Sequence, residues 1–146
     1  MESYMNRISN TGIVPVVKIL EKEDAYPLAK ALLNGGIDVI EVTYRSEHAT
    51  SAIQTISEQL PDMLVGAGTV LSVEQAKEAV EAGAKFIITP GFNTKVVQWC
   101  LDHDVEVYPG VSTASEVEMA LSMGLTQLKF FPAESSGGAK KLKDLS

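Results

Sequence analysis

Lys129 lies in a short apolar stretch that could place an amine inside a folded core. Its neighbours Leu128 and Phe130 belong to a run that predicts a strand, Gln127–Phe131. Strands of this kind in parallel sheets are normally buried on both faces. A lysine there must pair its charge, reach water along its stem, or lose its proton. Loss of the proton would make Lys129 a nucleophile, whereas contact with water would make it an ordinary strand-end lysine.

A carboxylate and a guanidinium follow another predicted strand, Ile37–Val42. Glu41, Thr43 and Arg45 occupy alternate positions, so their side chains project to one side. Sites in parallel α/β folds form beyond the carboxyl ends of the strands. We therefore expect Glu41 and Arg45 to share a face with Lys129. They would act there as functional groups or as a structural ion pair.

The elements that must position these residues alternate regularly along the chain. Apolar, β-branched runs are separated by helical stripes that end at glycine or proline, and no hairpin signal intervenes. The predicted strands are Ile13–Leu20, Ile37–Val42, Met63–Ala67, Phe86–Thr89, Val105–Tyr108 and Gln127–Phe131. Such alternation predicts a parallel sheet with helical crossovers. Its short repeat favours a (β/α)8 TIM-type barrel, of which about six βα units are present.

We expect residues 1–146 to form a single (β/α) barrel domain. A complete barrel has eight strands and about 250 residues, and six strands alone would leave unpaired edges. The sequence ends inside an apparent helix with no stop signal. The domain is therefore expected to be truncated at its C-terminus, with completion by another chain or an open sheet as alternatives.

Composition narrows the classes of partner. A net charge of −7 disfavours nucleic acid, which is bound through an excess of lysine and arginine. No apolar run reaches the length of a membrane span. The single cysteine, Cys100, follows Trp99 in an apolar pattern and predicts a buried thiol in a reducing compartment. The N-terminal stretch also does not pair a basic region with a long apolar run, so we expect a cytoplasmic protein. No His/Cys/Asp cluster has metal-ligand spacing, and we therefore expect no metal site.

Five motifs occur in order along the chain: Glu41-Val-Thr-Tyr-Arg45, Gly66-Ala-Gly-Thr-Val70, Thr89-Pro-Gly91, Pro109-Gly-Val-Ser-Thr113 and Leu128-Lys-Phe-Phe-Pro-Ala-Glu134. Together they resemble the 2-keto-3-deoxy-6-phosphogluconate (KDPG) / 4-hydroxy-2-oxoglutarate (KHG) aldolase family. The resemblance extends from about residue 13 to the end of the chain. The resemblance implies a class I aldolase on a (β/α)8 barrel, homotrimeric, free of metal and cofactor, and acting in the Entner–Doudoroff pathway.

The resemblance also implies residue roles. Lys129 matches the Schiff-base lysine, and Glu41 matches the general acid/base. Four further positions match residues that contact substrate: Arg45 and Thr69, which hold the pyruvate carboxylate, and Pro90 and Phe131, which wall the pocket. The family's last two strands supply a glycine-rich loop and a serine that bind the substrate phosphate, and this sequence contains neither.

The expected reaction is reversible cleavage of KDPG to pyruvate and glyceraldehyde 3-phosphate. Lys129 would condense with the ketone as a neutral amine, a form that burial and a nearby cation such as Arg45 would favour. Glu41 would move the protons. One alternative is cleavage of 4-hydroxy-2-oxoglutarate to pyruvate and glyoxylate, which needs no phosphate site. Another is a catalytically silent fragment that binds a keto acid or completes an oligomer.

Overall fold

Six strands alternate with helices along residues 3–146, the part of the chain described by this computed structural model. The strands are β1 (Val16–Val17), β2 (Val39–Thr43), β3 (Leu64–Gly68), β4 (Phe86–Thr89), β5 (Glu106–Val111) and β6 (Lys129–Phe130). The helices are α1 (Tyr4–Thr11), α2 (Ala25–Asn34), α3 (Ala49–Gln59), α4 (Val73–Glu81), α5 (Thr94–Asp102), α6 (Ala114–Ser122) and α7 (Gly138–Leu145). A short 3₁₀ turn, Lys22–Asp24, leads into α2.

The sheet follows the order of the chain, from β1 to β6, and every neighbouring pair of strands is parallel. In a flat sheet β2 and β6 would lie about 19 Å apart, at about 4.8 Å per strand spacing. Side chains of these two strands nevertheless meet at 3.5 Å, because the sheet curls. The predicted parallel α/β fold is confirmed as six βα units of a partial (β/α)8 barrel.

Alternate residues of each strand face opposite layers. Ile40 and Val42 of β2 pack outward into a core formed with the helices, which includes Ile53 of α3. Val39 and its counterparts on the other strands face the concave side, where Phe86 and Tyr108 form a tilted ring pair. The residues that could do chemistry must therefore occupy the concave parity, nearer the carboxyl ends of the strands.

Helix α1, which the sequence did not predict, closes the amino-terminal end of this concave side. Tyr4 and Ile8 pack against its apolar residues. Arg7 fixes the helix to the start of β2 through an ion pair with Asp38 at 2.7 Å, and Thr11 donates a hydrogen bond to the same carboxylate. With the amino-terminal end of the concave side covered by α1, the end at the carboxyl termini of the strands is the open one.

The two outer strands are shorter than predicted. Ile13–Leu20 forms a strand only at Val16–Val17, because an edge strand has a paired neighbour on one side only. The predicted strand Gln127–Phe131 is reduced to Lys129–Phe130 for the same reason. Strand β5 instead continues to Val111, past the predicted end at Tyr108, since Gly110 pairs with Lys129 of β6.

Side-chain caps begin several of the helices. Thr113 and Glu116 form a capping box at the start of α6, and Ser72 accepts a hydrogen bond from the Gln75 amide at the start of α4. Asp24 precedes α2 without a capping hydrogen bond and lies within the 3₁₀ turn.

Cys100 lies on the inner side of α5 and is fully buried, as the sequence predicted. Burial raises the pKa of its thiol to about 12. Within residues 3–146, no helix combines the length and apolar character needed to cross a bilayer.

Candidate active site

Glu41 is a carboxylate inside the concave side of the sheet, with only 2% of its surface exposed. Its Oε1 atom is buried and has no hydrogen-bond partner among residues 3–146. Burial raises the pKa of Glu41 above its ordinary value, and the charges of Lys129 and Arg45 oppose this effect. A buried carboxylate of this kind holds a proton more readily than one in water, as a group that exchanges protons requires.

Lys129 of β6 brings its amine to this carboxylate, with Nζ 3.5 Å from Glu41 Oε1. The Phe131 ring lies beneath the same amine, 4.9 Å from Nζ to the ring centroid. About a quarter of the lysine side chain, 26%, is exposed, so it is not buried on both faces as its strand pattern suggested. The reason is that β6 is a two-residue edge strand. Lys129 thus both pairs its charge and reaches water.

Arg45 and Thr69 lie just beyond the ends of β2 and β3. Arg45 is exposed and forms no ion pair within the described part of the chain, although its charge acts on Glu41. Thr69 is half-buried and has a φ of 54°, a left-handed conformation that is rare for a β-branched residue. Such backbone strain is often found at functional sites. Both side chains remain available to a ligand at the open end.

Pro90 approaches the site through its backbone. A Cβ built on Gly110 would lie 2.1 Å from the Pro90 carbonyl oxygen, and Gly110 is the strand partner of Lys129. Pro90 also lines a cleft of about 670 Å³ formed by residues 70–71 and 89–95. That cleft contains neither Glu41 nor Lys129, so it adjoins the pair without enclosing it.

Two threonines at the strand ends donate their hydroxyl hydrogen bonds to backbone carbonyls. Thr43 is buried and donates a hydrogen bond to the Val17 carbonyl at 2.9 Å. Thr89 is also buried and donates to the Gly91 carbonyl at 2.7 Å. Their hydroxyls are therefore engaged in holding strand ends and loops.

One residue of the site escaped sequence reasoning in its actual role. The Glu41 carboxylate packs over the backbone of Gly68, a residue for which the sequence analysis proposed no role. The available signal was the pair of glycines at 66 and 68, both on the concave parity of β3. Sequence spacing could not reveal which side chain would cover them.

The arrangement combines an amine and a buried carboxylate at contact distance, with a guanidinium at the rim. An amine beside a proton-accepting group can form an imine with a carbonyl compound. An exposed arginine fork can bind the carboxylate of an acid substrate. No group of His, Cys, Asp or Glu side chains suited to holding a metal ion occurs among residues 3–146.

Comparison with known proteins identifies the family. The model for KDPG and KHG aldolases matches residues 4–146. The chain is 46% identical over 146 residues to the 2-dehydro-3-deoxy-phosphogluconate aldolase of Treponema pallidum (strain Nichols), covering 100% of this chain and 70% of that protein. It is 44% identical over 140 residues to the KHG/KDPG aldolase of Escherichia coli (strain K12), covering 95% of this chain and 66% of that protein.

A solved structure agrees with these relatives. The KDPG aldolase from Legionella pneumophila, with pyruvate captured at low pH as a covalent carbinolamine intermediate, matches with a TM-score of 0.88 and 43% identity. The match covers 91% of this chain and 65% of that one. The chain thus spans about two thirds of the length of these three relatives. Both the sequence motifs and the fold lead to one assignment: the chain belongs to the KDPG and KHG aldolase family.

Proposed function

We propose that this chain carries the Schiff-base centre of a class I aldolase that reversibly cleaves KDPG to pyruvate and glyceraldehyde 3-phosphate. The observation that supports it most strongly is the 3.5 Å contact between Lys129 Nζ and the buried Oε1 of Glu41. Two ionisable groups from distant strands meet there, and the carboxylate of the pair is buried. Perturbed carboxylates with a specific charge partner are typical of catalytic sites.

In the first step, Lys129 must attack as a neutral amine. Glu41 can accept the proton of the resting ammonium across this contact, because burial raises the pKa of its carboxyl. The amine then adds to the C2 carbonyl of the substrate and gives a carbinolamine. Return of the proton from Glu41 to the C2 hydroxyl releases water and leaves a protonated imine.

Carbon–carbon cleavage follows on this imine. The Glu41 carboxylate removes the proton of the C4 hydroxyl, the C3–C4 bond breaks, and its electron pair moves into the iminium to give an enamine. The C4 fragment leaves as the aldehyde. Glu41 then returns a proton to C3, and hydrolysis of the resulting imine frees pyruvate and the Lys129 amine. The same groups run the sequence in reverse for aldol addition.

The remaining site residues hold the substrate. Arg45 would bind the C1 carboxylate with its guanidinium, assisted by the hydroxyl of Thr69. Pro90 and Phe131 would form the walls, and the Phe131 ring also stabilises positive charge on the Lys129 nitrogen. These roles rest on their positions around the pair and on the family motifs.

A second candidate substrate is 4-hydroxy-2-oxoglutarate, which would yield pyruvate and glyoxylate. The Escherichia coli relative carries both substrates in its name, KHG/KDPG aldolase. Both cleavages share the pyruvate half that Lys129 and Glu41 would process. Relative rates on the two substrates would rank them.

The wider setting also comes from the family resemblance. We place the protein in the cytoplasm, in the Entner–Doudoroff pathway, as a homotrimer that acts without metal or cofactor. Analytical ultracentrifugation would test the trimer directly.

The proposed chemistry is tested by reduction with borohydride in the presence of pyruvate. Borohydride converts the imine to a stable secondary amine, so we expect one adduct on Lys129 by peptide mass spectrometry. The Lys129→Ala variant should give none. Lys85→Ala, which changes an exposed lysine at the opposite end of the sheet, should label like the wild type. Absence of an adduct would instead support a silent fragment that only binds keto acids, and equal labelling of the Lys129→Ala variant would refute the assignment of the Schiff base to Lys129.

A further inference from the structure

The Glu41 carboxylate is held in place without a hydrogen bond to its inner oxygen. Oε1 has no donor within hydrogen-bond geometry among residues 3–146, and its ion-pair partner, Lys129 Nζ, lies 3.5 Å away. Lys129 itself sits on a short edge strand and is partly exposed. Its flexible stem cannot fix the carboxylate alone, so the shape of the surrounding surface must contribute.

That surface is the backbone of β3. Glu41 pairs in register with Gly66, while Gly68 is opposite Thr43, two residues nearer the open end. The Glu41 side chain leans along the strand and lies across Gly68. A Cβ built on Gly68 would be 1.9 Å from Oε1, 2.5 Å from Cδ and 2.6 Å from Cγ of Glu41. The carboxylate therefore occupies the space that any side chain at position 68 would fill.

We propose that Gly68 is a positioning residue, whose missing side chain forms the seat that holds the Glu41 carboxylate beside Lys129. The inference rests on the proposed function, because it assigns to Glu41 the proton transfers of the aldolase reaction. Gly68 would touch no reacting atom and would act only through Glu41. The raised pKa of Glu41 agrees with it, since the same seat keeps the carboxylate out of water.

A methyl group at position 68 should displace the carboxylate and leave the strand intact. Ordinary contact needs about 3.5 Å, so Oε1 would have to move by roughly 1.5 Å. The carboxylate is the free end of a side chain with three rotatable bonds, which makes this movement possible without a shift of backbone. Misplacement of a catalytic group by about 1 Å can cost about 10²-fold in rate. We expect a loss of that order for Gly68→Ala.

Two glycines provide matched controls. Gly66→Ala places a methyl on the same face of β3, where it meets the Phe86 ring at 2.1 Å and not Glu41. Gly35→Ala lies at the end of α2, where the nearest atom is a backbone oxygen at an ordinary 3.4 Å. We expect Gly66→Ala to lower the melting temperature and Gly35→Ala to change little. Neither substitution should alter the behaviour of Glu41.

The experiment measures two quantities in the wild type and the three variants. The first is the rate of borohydride-trapped adduct formation with saturating pyruvate across a pH series. The second, independent of activity, is the titration of the Glu41 carboxyl carbon by NMR. For Gly68→Ala we expect an adduct rate about 10²-fold lower and a Glu41 titration midpoint moved to lower pH. The two control glycines should keep the wild-type midpoint.

The outcomes separate this inference from the proposed function. If the wild type forms no adduct, the aldolase proposal fails, while the NMR titration still tests whether Gly68 positions the Glu41 carboxylate. A wild-type midpoint in Gly68→Ala, or an equal shift in Gly66→Ala, would overturn the role of Gly68. Should Gly68→Ala not fold, the double variant Glu41→Ala/Gly68→Ala must fold, because the atoms struck by the methyl are gone. Failure of the double variant to fold would also overturn it.

Discussion

Replacement of Glu41 by glutamine should stabilise the fold and at the same time remove most of the proposed activity. Glutamine has nearly the same shape as glutamate, so packing over Gly68 is preserved, while the charge is lost and an amide NH2 replaces one oxygen. The Glu41 side chain is 3% exposed and its Oε1 lacks a hydrogen bond among residues 3–146. An unsatisfied buried polar group costs about 1–3 kcal/mol, and more when it is charged.

The charge also has a favourable partner, which limits the gain. Lys129 is partly exposed, so its pairing with Glu41 is screened by water and contributes about 1 kcal/mol at most. After Glu41→Gln the lysine can still reach solvent and is not left as a stranded buried charge. The balance is a net gain of about 1 kcal/mol in the free energy of unfolding. For a chain of this size it corresponds to a melting temperature higher by about 2–4 °C.

The stability gained by Glu41→Gln should be present at high pH and lost at low pH. Burial raises the folded-state pKa of Glu41 above its ordinary value of 4.5, so the folded protein retains a proton that the unfolded chain releases. Wild-type stability therefore falls as pH rises from 4.5 through the folded-state pKa. Below that window both states carry the proton, and the glutamine variant should lose its advantage.

The assay is a series of melting temperatures for wild type and Glu41→Gln across pH, with pyruvate trapping measured on the same samples. Loss of a general acid/base should lower the trapping rate by about 10²–10⁴-fold. Glu118→Gln, on the exposed side of α6, controls for a general effect of charge removal. A variant less stable than the wild type above the window would refute the reasoning, as would full activity.

Three further predictions concern other parts of the molecule. Thr69→Gly should raise the free energy of unfolding, measured by chemical denaturation, by up to about 1 kcal/mol. The left-handed conformation costs threonine about 1–2 kcal/mol, and the greater conformational entropy of an unfolded glycine offsets about 0.5–1 kcal/mol of the gain. The same variant should raise the KM for pyruvate. Asp38→Asn should lower the free energy of unfolding and abolish the part of its acid dependence that comes from Asp38. Hydrogen bonding from Thr11, aided by Arg7, holds the pKa of Asp38 below its ordinary 3.8. The wild type therefore loses this stabilisation as pH falls through the lowered pKa, and the variant should not. Cys100 should resist iodoacetamide in the native state, because burial raises its pKa to about 12, and should react after denaturation.

Each of these has a contrary result. A destabilised Thr69→Gly variant would mean that its backbone is not strained. An Asp38→Asn variant with the wild-type acid transition would remove the Arg7 ion pair as an anchor of α1. Rapid alkylation of native Cys100 would contradict its burial on the inner side of α5.

Local sequence patterns predicted most of the fold. Helical apolar stripes, glycines at helix ends and β-branched runs each involve residues close together in the chain, so each predicts the structure of its own segment. Strand β4 was predicted at its observed bounds, Phe86–Thr89, because it is central and paired on both sides. The edge strands were predicted too long, because their extent depends on neighbours rather than on their own residues. Helix α1 was not predicted, although Tyr4 and Ile8 lie at helical spacing and pack on the concave apolar residues; contacts such as Arg7 with Asp38 fix it in place.

The sequence by itself determined the alternating α/β architecture, the family, and the set of residues that end at one edge of the sheet. The alternation of side chains along a strand and the spacing of apolar residues along a helix are enough for these predictions, since both follow from backbone geometry. Only the tertiary structure decided that Lys129 meets Glu41, because curling of the sheet sets the distance between β2 and β6. Tertiary packing also decided that the Glu41 carboxylate lies on Gly68, which makes a residue with no side chain part of the site. Contacts of this kind join residues far apart in the chain, and no local pattern records them.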